Sequence, residues 1–165
     1  MLSKTIQETI NEQINHELYS AYTYLSMSAY FESLNLRGFA HWMRAQSREE
    51  VAHAMKFFDF LHDRGGRVVL PAIDEPPAEF ESPLEVFQQA LGHERKVTGL
   101  IYKIYDLAVK EKDYATQALL NWFVAEQVEE EKSTGEIVEH LKQSGNDPTG
   151  LLFLDKQLGE RKSED

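Results

Sequence analysis

Apolar residues recur at alternating three- and four-residue steps along four long stretches of the chain, the spacing that keeps side chains on one face of an α-helix. The first stripe runs Ile10, Gln13, Glu17, Ser20, Tyr24, Met27, Phe31 and Leu34, and the second Met43, Gln46, Glu50, His53, Phe57 and Phe60. The third runs Leu84, Phe87, Leu91, Glu94, Thr98, Ile101, Tyr105 and Ala108, and the fourth Leu120, Phe123, Gln127, Glu130, Thr134, Ile137 and Leu141. Each stripe should face a core, yet each holds at least one group that a core rejects unless it is paired. In the second, Glu50 and His53 stand one turn apart on the same face.

Local punctuation bounds the helices. Ser3 is a favoured N-cap, so the first helix opens there and runs to about Leu34. The second runs from about Leu36 through Arg64 and stops at Gly65-Gly66, where glycine takes the left-handed conformation at no steric cost. Ser82-Pro83-Leu84-Glu85 combines a capping box with proline at the first helical position and starts the third helix, which reaches about Lys110. Asp113 caps a fourth helix to about Gln143, and Asp147-Pro148 starts a short fifth that ends near Leu158. The proline-rich stretch RVVLPAIDEPPAEFES is longer than a helix hairpin needs. It is long enough to cross the bundle from end to end, which would make the second and third helices parallel. The expectation is an all-α chain: an antiparallel four-helix bundle over about residues 3–143 with one long crossover, then a short helix over about 148–158. Leu151, Leu152, Phe153, Leu154 and Leu158 make that last helix apolar on too many sides for a free surface element.

The polar interruptions coincide. A shift of 77 residues carries Glu17, Glu50 and His53 onto Glu94, Gln127 and Glu130, and also Glu8 onto Glu85, His16 onto His93 and Glu49 onto Glu126. The chain is a degenerate internal repeat. At 1.5 Å per residue, Glu17 lies about 25 Å from the end of its helix and Glu50 about 21 Å back along the next, so an antiparallel pair sets them side by side. The second half repeats that count, and all four interruptions fall at about one height.

With 165 residues, one domain spanning 1–165 is expected. The formal net charge of -11 argues against nucleic acid and anionic membranes as partners and favours cations. Having no cysteine, the chain has no disulfides, thiolate-ligated iron-sulfur clusters or thiolate zinc sites. No secretory pattern opens MLSKTIQETI and no apolar run has the length of a membrane span, so the expected location is cytoplasmic.

Four carboxylates, an imidazole and an amide converging in a bundle need cations or protons, because isolated buried carboxylates cost several kcal/mol each. Two divalent ions would balance Glu17, Glu50, Glu94 and Glu130. Oxygen donors with little imidazole and no sulfur suit iron or manganese, zinc would also bind, and iron gives chemistry with oxygen. Tyr24, one heptad beyond Glu17, is placed to hydrogen-bond a ligand or donate an electron. Glu126, Glu129, Glu130 and Glu131 form an acidic run on the fourth helix, with Glu49 the repeat mate of Glu126, and could hold a further cation or simply face solvent. His16 and His93 point about 100° away from the ligand face and read as flanking residues; His41, His62 and His140 carry no usable pattern.

From NEQINHELYSAYTYLSMSAYFE through REEVAHA to NWFVAEQVEEE and the terminal helix, the chain resembles the ferritin family, most closely its prokaryotic non-haem members. That resemblance implies a ferritin-like four-helix bundle assembled with itself as a hollow shell of twenty-four subunits. The implied activity is oxidation of ferrous iron by dioxygen or peroxide and storage of ferric mineral. It assigns one iron position to Glu17, Glu50 and His53 and the other to Glu50, Glu94 and Glu130, with Glu50 bridging, Gln127 hydrogen-bonding nearby and Tyr24 beside the pair. A third position falls to Glu49, Glu126, Glu129 and Glu130. The haem-binding relatives carry methionine after the bridging glutamate and a second Glu-x-x-His on the fourth helix. Val51 and Gln127-Val128-Glu129-Glu130 stand there instead, which argues against haem. The alternatives are a diiron oxidase or peroxidase that stores nothing, and a metal-free structural bundle.

Overall fold

The computed structural model describes residues 2–162, which form five helices: α1 (Lys4–Ser33), α2 (Arg37–Asp63), α3 (Pro83–Lys110), α4 (Tyr114–Ser144) and α5 (Pro148–Leu158). The starts follow the capping chemistry. Ser3 Oγ accepts from Ile6 N at 3.1 Å, Ser82 Oγ from Glu85 N at 3.1 Å, and Asp113 Oδ1 from Thr116 N at 3.1 Å, each satisfying a donor the helix itself leaves unpaired. The capping box at α3 is skewed by one residue, since Glu85 reaches back to the Glu81 N–H rather than that of Ser82.

The internal repeat extends into the backbone of the turns. Asn35, between α1 and α2, and Lys112, between α3 and α4, both have φ of 57°, and they are related by the same shift of 77 residues. Left-handed geometry suits asparagine but costs lysine about 1 kcal/mol, so residue type alone would not reveal the second turn. The two hairpins, α1 on α2 and α3 on α4, pack face to face with α1 also against α3.

Arg64, just past the end of α2, grips Asp113, the N-cap of α4, through two hydrogen bonds of 2.9 and 3.1 Å. That fork places the ends of α2 and α3 at the same end of the bundle, so these helices run parallel and the crossover climbs its full length. α1 fastens the climbing chain: Asn11 bonds Arg67 O at 3.0 Å and Val69 N at 2.8 Å, Asn15 bonds Ala72 O at 3.3 Å, and Ser26 bonds Pro77 O at 2.6 Å.

The apolar seam divides into two clusters. Met27, Phe31, Phe39, Trp42, Met43, Phe87 and Leu141 pack at one end, and Ile10, Ile14, Phe57, Leu61, Ile101, Leu120 and Phe123 at the other. The buried polar residues of the stripes lie between them. Leu61 rather than Phe60 closes the second stripe, and Leu34 is exposed, because a 3.6-residue turn drifts away from a strict heptad over a long helix. α5 packs on α2 and α4 through Leu154 and Leu158, while Leu152 and Phe153 remain 61% and 71% exposed.

Candidate metal centre

Every polar residue expected at the central level is buried: Glu17, Glu50, His53, Glu94, Gln127 and Glu130 are each 4% exposed or less. Glu17 from α1 converges with Glu50 and His53 from α2, with potential ligand atoms all within 4.8 Å of one another. His53 Nδ1 lies 3.6 Å from Glu50 Oε2 and 3.9 Å from Glu17 Oε2. Glu17 Oε2 is fully buried yet has no hydrogen-bond partner, while Gln13 Nε2 holds the other oxygen at 2.8 Å. A lone-pair-bearing oxygen left bare at the middle of a core, facing an imidazole and a second carboxylate, is a fitting donor for a cation.

Across the seam, α3 and α4 supply Glu94, Gln127 and Glu130. Tyr24 OH donates to Glu94 Oε1, and Gln127 Nε2 donates to Glu94 Oε2 at 3.2 Å and to Thr98 Oγ1 at 3.3 Å. Glu130 Oε2 accepts from Gln46 Nε2 at 2.6 Å, and the same amide nitrogen lies 3.4 Å from Glu50 Oε1. The Trp122 and Phe123 rings meet His53 edge-on at 5.4 and 5.9 Å and fix its plane.

The charges respond accordingly. Burial, reinforced by Glu50, pushes the Glu17 carboxyl well above its usual range, and burial with Glu94 and Glu130 does the same to Glu50. Burial raises Glu94, and burial together with Glu94 and Glu49 pushes Glu130 up to about 8. The Tyr24 phenol is held protonated by burial and by Glu94.

The acidic patch separates into parts. Glu126 joins His53 and Glu130 in a second group whose potential ligand atoms lie within 4.8 Å of one another. Glu129 is exposed, and Glu49 is paired with Arg161 Nη2 at 2.7 Å. His16 and His93 do not join either group among the described residues. His93 instead bonds Ser20 Oγ at 2.5 Å, and burial and Lys96 lower its pKa to about 4, so it is neutral.

A family model described as the ferritin-like domain matches residues 7–144, which contain every element of this cluster. The chain belongs to the ferritin family. It is 47% identical over 161 residues to the bacterial non-heme ferritin of Bacteroides fragilis, covering 98% of this chain and 100% of that one. The corresponding protein of Staphylococcus saprophyticus is 41% identical, with 98% of this chain and 96% of that one covered. Among solved structures, the open pore ferritin of Archaeoglobus fulgidus superposes with a TM-score of 0.98 at 52% identity, covering 98% of this chain and all of that one.

The support that three residues of this ferritin give the cluster was not read from its pattern, although two of them stand in its stripes. Gln13 and Gln46 each sit four residues before a glutamate, Glu17 and Glu50, one helical turn away on the same face, which is a usable signal. The repeat hides them, because its shift carries them onto Ala90 and Phe123. Arg161 lies in what reads as a charged tail, and only the folded position of α5 brings it to α2.

Proposed function

We propose that this ferritin stores iron by oxidising it at the central cluster. Ferrous ions are the substrate; one binds Glu17, Glu50 and His53, and the other Glu50, Glu94 and Glu130, with Glu50 shared. The observation that carries this reading is the bare, buried Glu17 Oε2 facing Glu50 and His53. Four carboxylates neutralise two divalent ions, so loading replaces protons by iron and removes the cost of the buried charges. Two ferrous ions supply two electrons, which dioxygen accepts with two protons to leave as hydrogen peroxide. Gln127 and Tyr24 hold Glu94 in place, and the phenol stays a hydrogen-bond donor at neutral pH. Glu126 with Glu130, and Glu49 and Glu129 beside them, form a third position on the way to the mineral. Its presence is read from the number of ions bound per subunit.

Storage requires a closed space, and a single bundle has none. The exposed Leu152 and Phe153 of α5 support burial against further copies of the chain in a twenty-four-subunit shell.

The test is Glu50→Ala in the full-length protein, followed by stopped-flow absorbance as ferrous iron meets oxygen. Losing even an outer partner of a metal site costs up to about 100-fold, so a ligand shared by two ions should cost more. An undiminished rate in that variant would rule out the shared carboxylate.

A further inference from the structure

Arg161 is the first residue on which the terminal segment, the α2 surface and the buried cluster converge. Its guanidinium lies 4.6 Å over the Trp42 ring, donates from Nη1 to Gln46 Oε1 at 2.9 Å and to Trp42 O at 3.4 Å, and donates from Nη2 to Glu49 Oε2 at 2.7 Å. Its own carbonyl accepts from His41 Nε2 at 2.7 Å. α5 brings it there. Asp155 Oδ1 accepts from Phe39 N at 2.9 Å, in the first turn of α2, and at Gly38 a Cβ would lie 1.6 Å from Asp155 O, so only glycine admits this approach.

Gln46 is fully buried, and its carboxamide has two chemically opposite ends. Guanidinium can only donate, so the end that meets Arg161 must be the oxygen. The NH2 end then necessarily faces Glu130 Oε2 at 2.6 Å and Glu50 Oε1 at 3.4 Å. Resting on the reading of these carboxylates as iron ligands, we propose that Arg161 is a positioning residue for the second ion: it locks the Gln46 amide so that Glu130 is held by one oxygen and offers the other to metal.

Removing the guanidinium frees the amide to turn over and bring its oxygen against Glu130. Against the ionised Glu130 that binds metal, that contact repels, and Glu130 loses its fixed rotamer. The ion on Glu17, Glu50 and His53 depends on it less, since Gln46 reaches Glu50 only at 3.4 Å while Gln13 holds Glu17 and the aromatic rings fix His53. Arg161→Met is the apt change, because its stem still covers Trp42 while every donor is gone. Arg161→Lys retains the charge beside Glu49, but one ammonium lacks the fork that reaches both groups.

The experiment is an anaerobic titration of the full-length, metal-free protein with Co(II), whose visible bands report coordination, in wild type, Arg161→Met, Arg161→Lys and each in a Gln46→Leu background. The expected result is a second-ion affinity weakened about tenfold in Arg161→Met, the scale of one charge-assisted hydrogen bond, with the first ion affected clearly less. Arg161→Lys should recover only part of it, and the effect should vanish when Gln46 is already leucine. An equal loss at both positions, no loss at the second, or the same loss in the Gln46→Leu background would overturn the proposal. If Gln46→Leu does not fold, the ratio of first- to second-ion effects in the single variants decides it. Wild type that binds no Co(II) at the centre would instead refute the iron reading itself, and two ions bound equally with and without Arg161 would refute only this inference.

Discussion

Binding two divalent ions should expel protons at neutral pH, and the number expelled should fall as pH rises. The perturbation is metal loading of the metal-free protein. Glu130, pushed to about 8 by burial and by Glu94 and Glu49, is about nine-tenths protonated at pH 7. Glu17 is raised well above its usual range by burial and Glu50, and Glu50 by burial, Glu94 and Glu130, so the cluster carries protons that iron must displace. Each proton displaced makes the apparent metal affinity rise about tenfold per pH unit below the group's pKa. Stability follows with a definite sign. A carboxyl whose pKa is raised by folding contributes stability that is present below its unfolded value near 4.5 and lost as pH climbs through about 8. For Glu130 alone the loss is on the order of 4 kcal/mol, with the neighbouring carboxyls drawing on the same protons. The assay is a series of thermal melts of metal-free protein from about pH 5 to about pH 9, with and without Zn(II), which is redox-inert, alongside pH-stat titration of proton release. Melting should fall with pH only when metal is absent. A flat melting profile, or no protons released at neutral pH, would refute the reasoning.

The repeat breaks its symmetry at His53 against Glu130, and a neutral nitrogen donor should favour a first-row metal at the first position. Anomalous diffraction at limiting iron should therefore show the Glu17, Glu50 and His53 position filling first, with Glu130→Ala emptying the second and sparing it; equal occupancy in wild type would count against this. Phe153→Glu places a charge on the most exposed apolar residue of α5 and should shift light scattering from a large shell to smaller species, whereas an unchanged particle mass would remove α5 from the assembly contact.

The helices were legible because their ends are written in local chemistry. Ser3, Ser82-Pro83, Asp113 and Asp147-Pro148 act on their own next turn, so no distant part of the fold is needed to read them. The central level was legible for a different reason: two copies of one pattern repeat their polar residues at one spacing, and a rule broken twice in register is not an accident of composition. Contacts that depend on α5 were not legible. Asp155 at the first turn of α2 and Arg161 on Gln46 join residues more than a hundred positions apart, and no periodicity encodes where a short helix swings after Gly145. The residues proposed for a third position show the same divide, since Glu126 meets His53 and Glu130 while Glu49 is claimed by an arginine that helical spacing cannot see.

Gln127 explains why the repeat is imperfect where it matters. Its mate across the repeat is Glu50, and a glutamate at 127 would be a fifth carboxylate at the level of the cluster. On the proposed reading two divalent ions balance four, so a fifth would leave one uncompensated charge in a core that penalises it by several kcal/mol. It would also face Glu94, whose Oε2 now accepts from the Gln127 amide at 3.2 Å, and turn that hydrogen bond into a repulsion between like charges. The amide keeps the size and the helical position of its repeat mate, donates where a carboxylate could only accept, and on the proposed reading leaves Glu50 to serve both ions. On the proposed reading, the asymmetry between the two halves of the chain is the charge balance of the site, expressed in sequence.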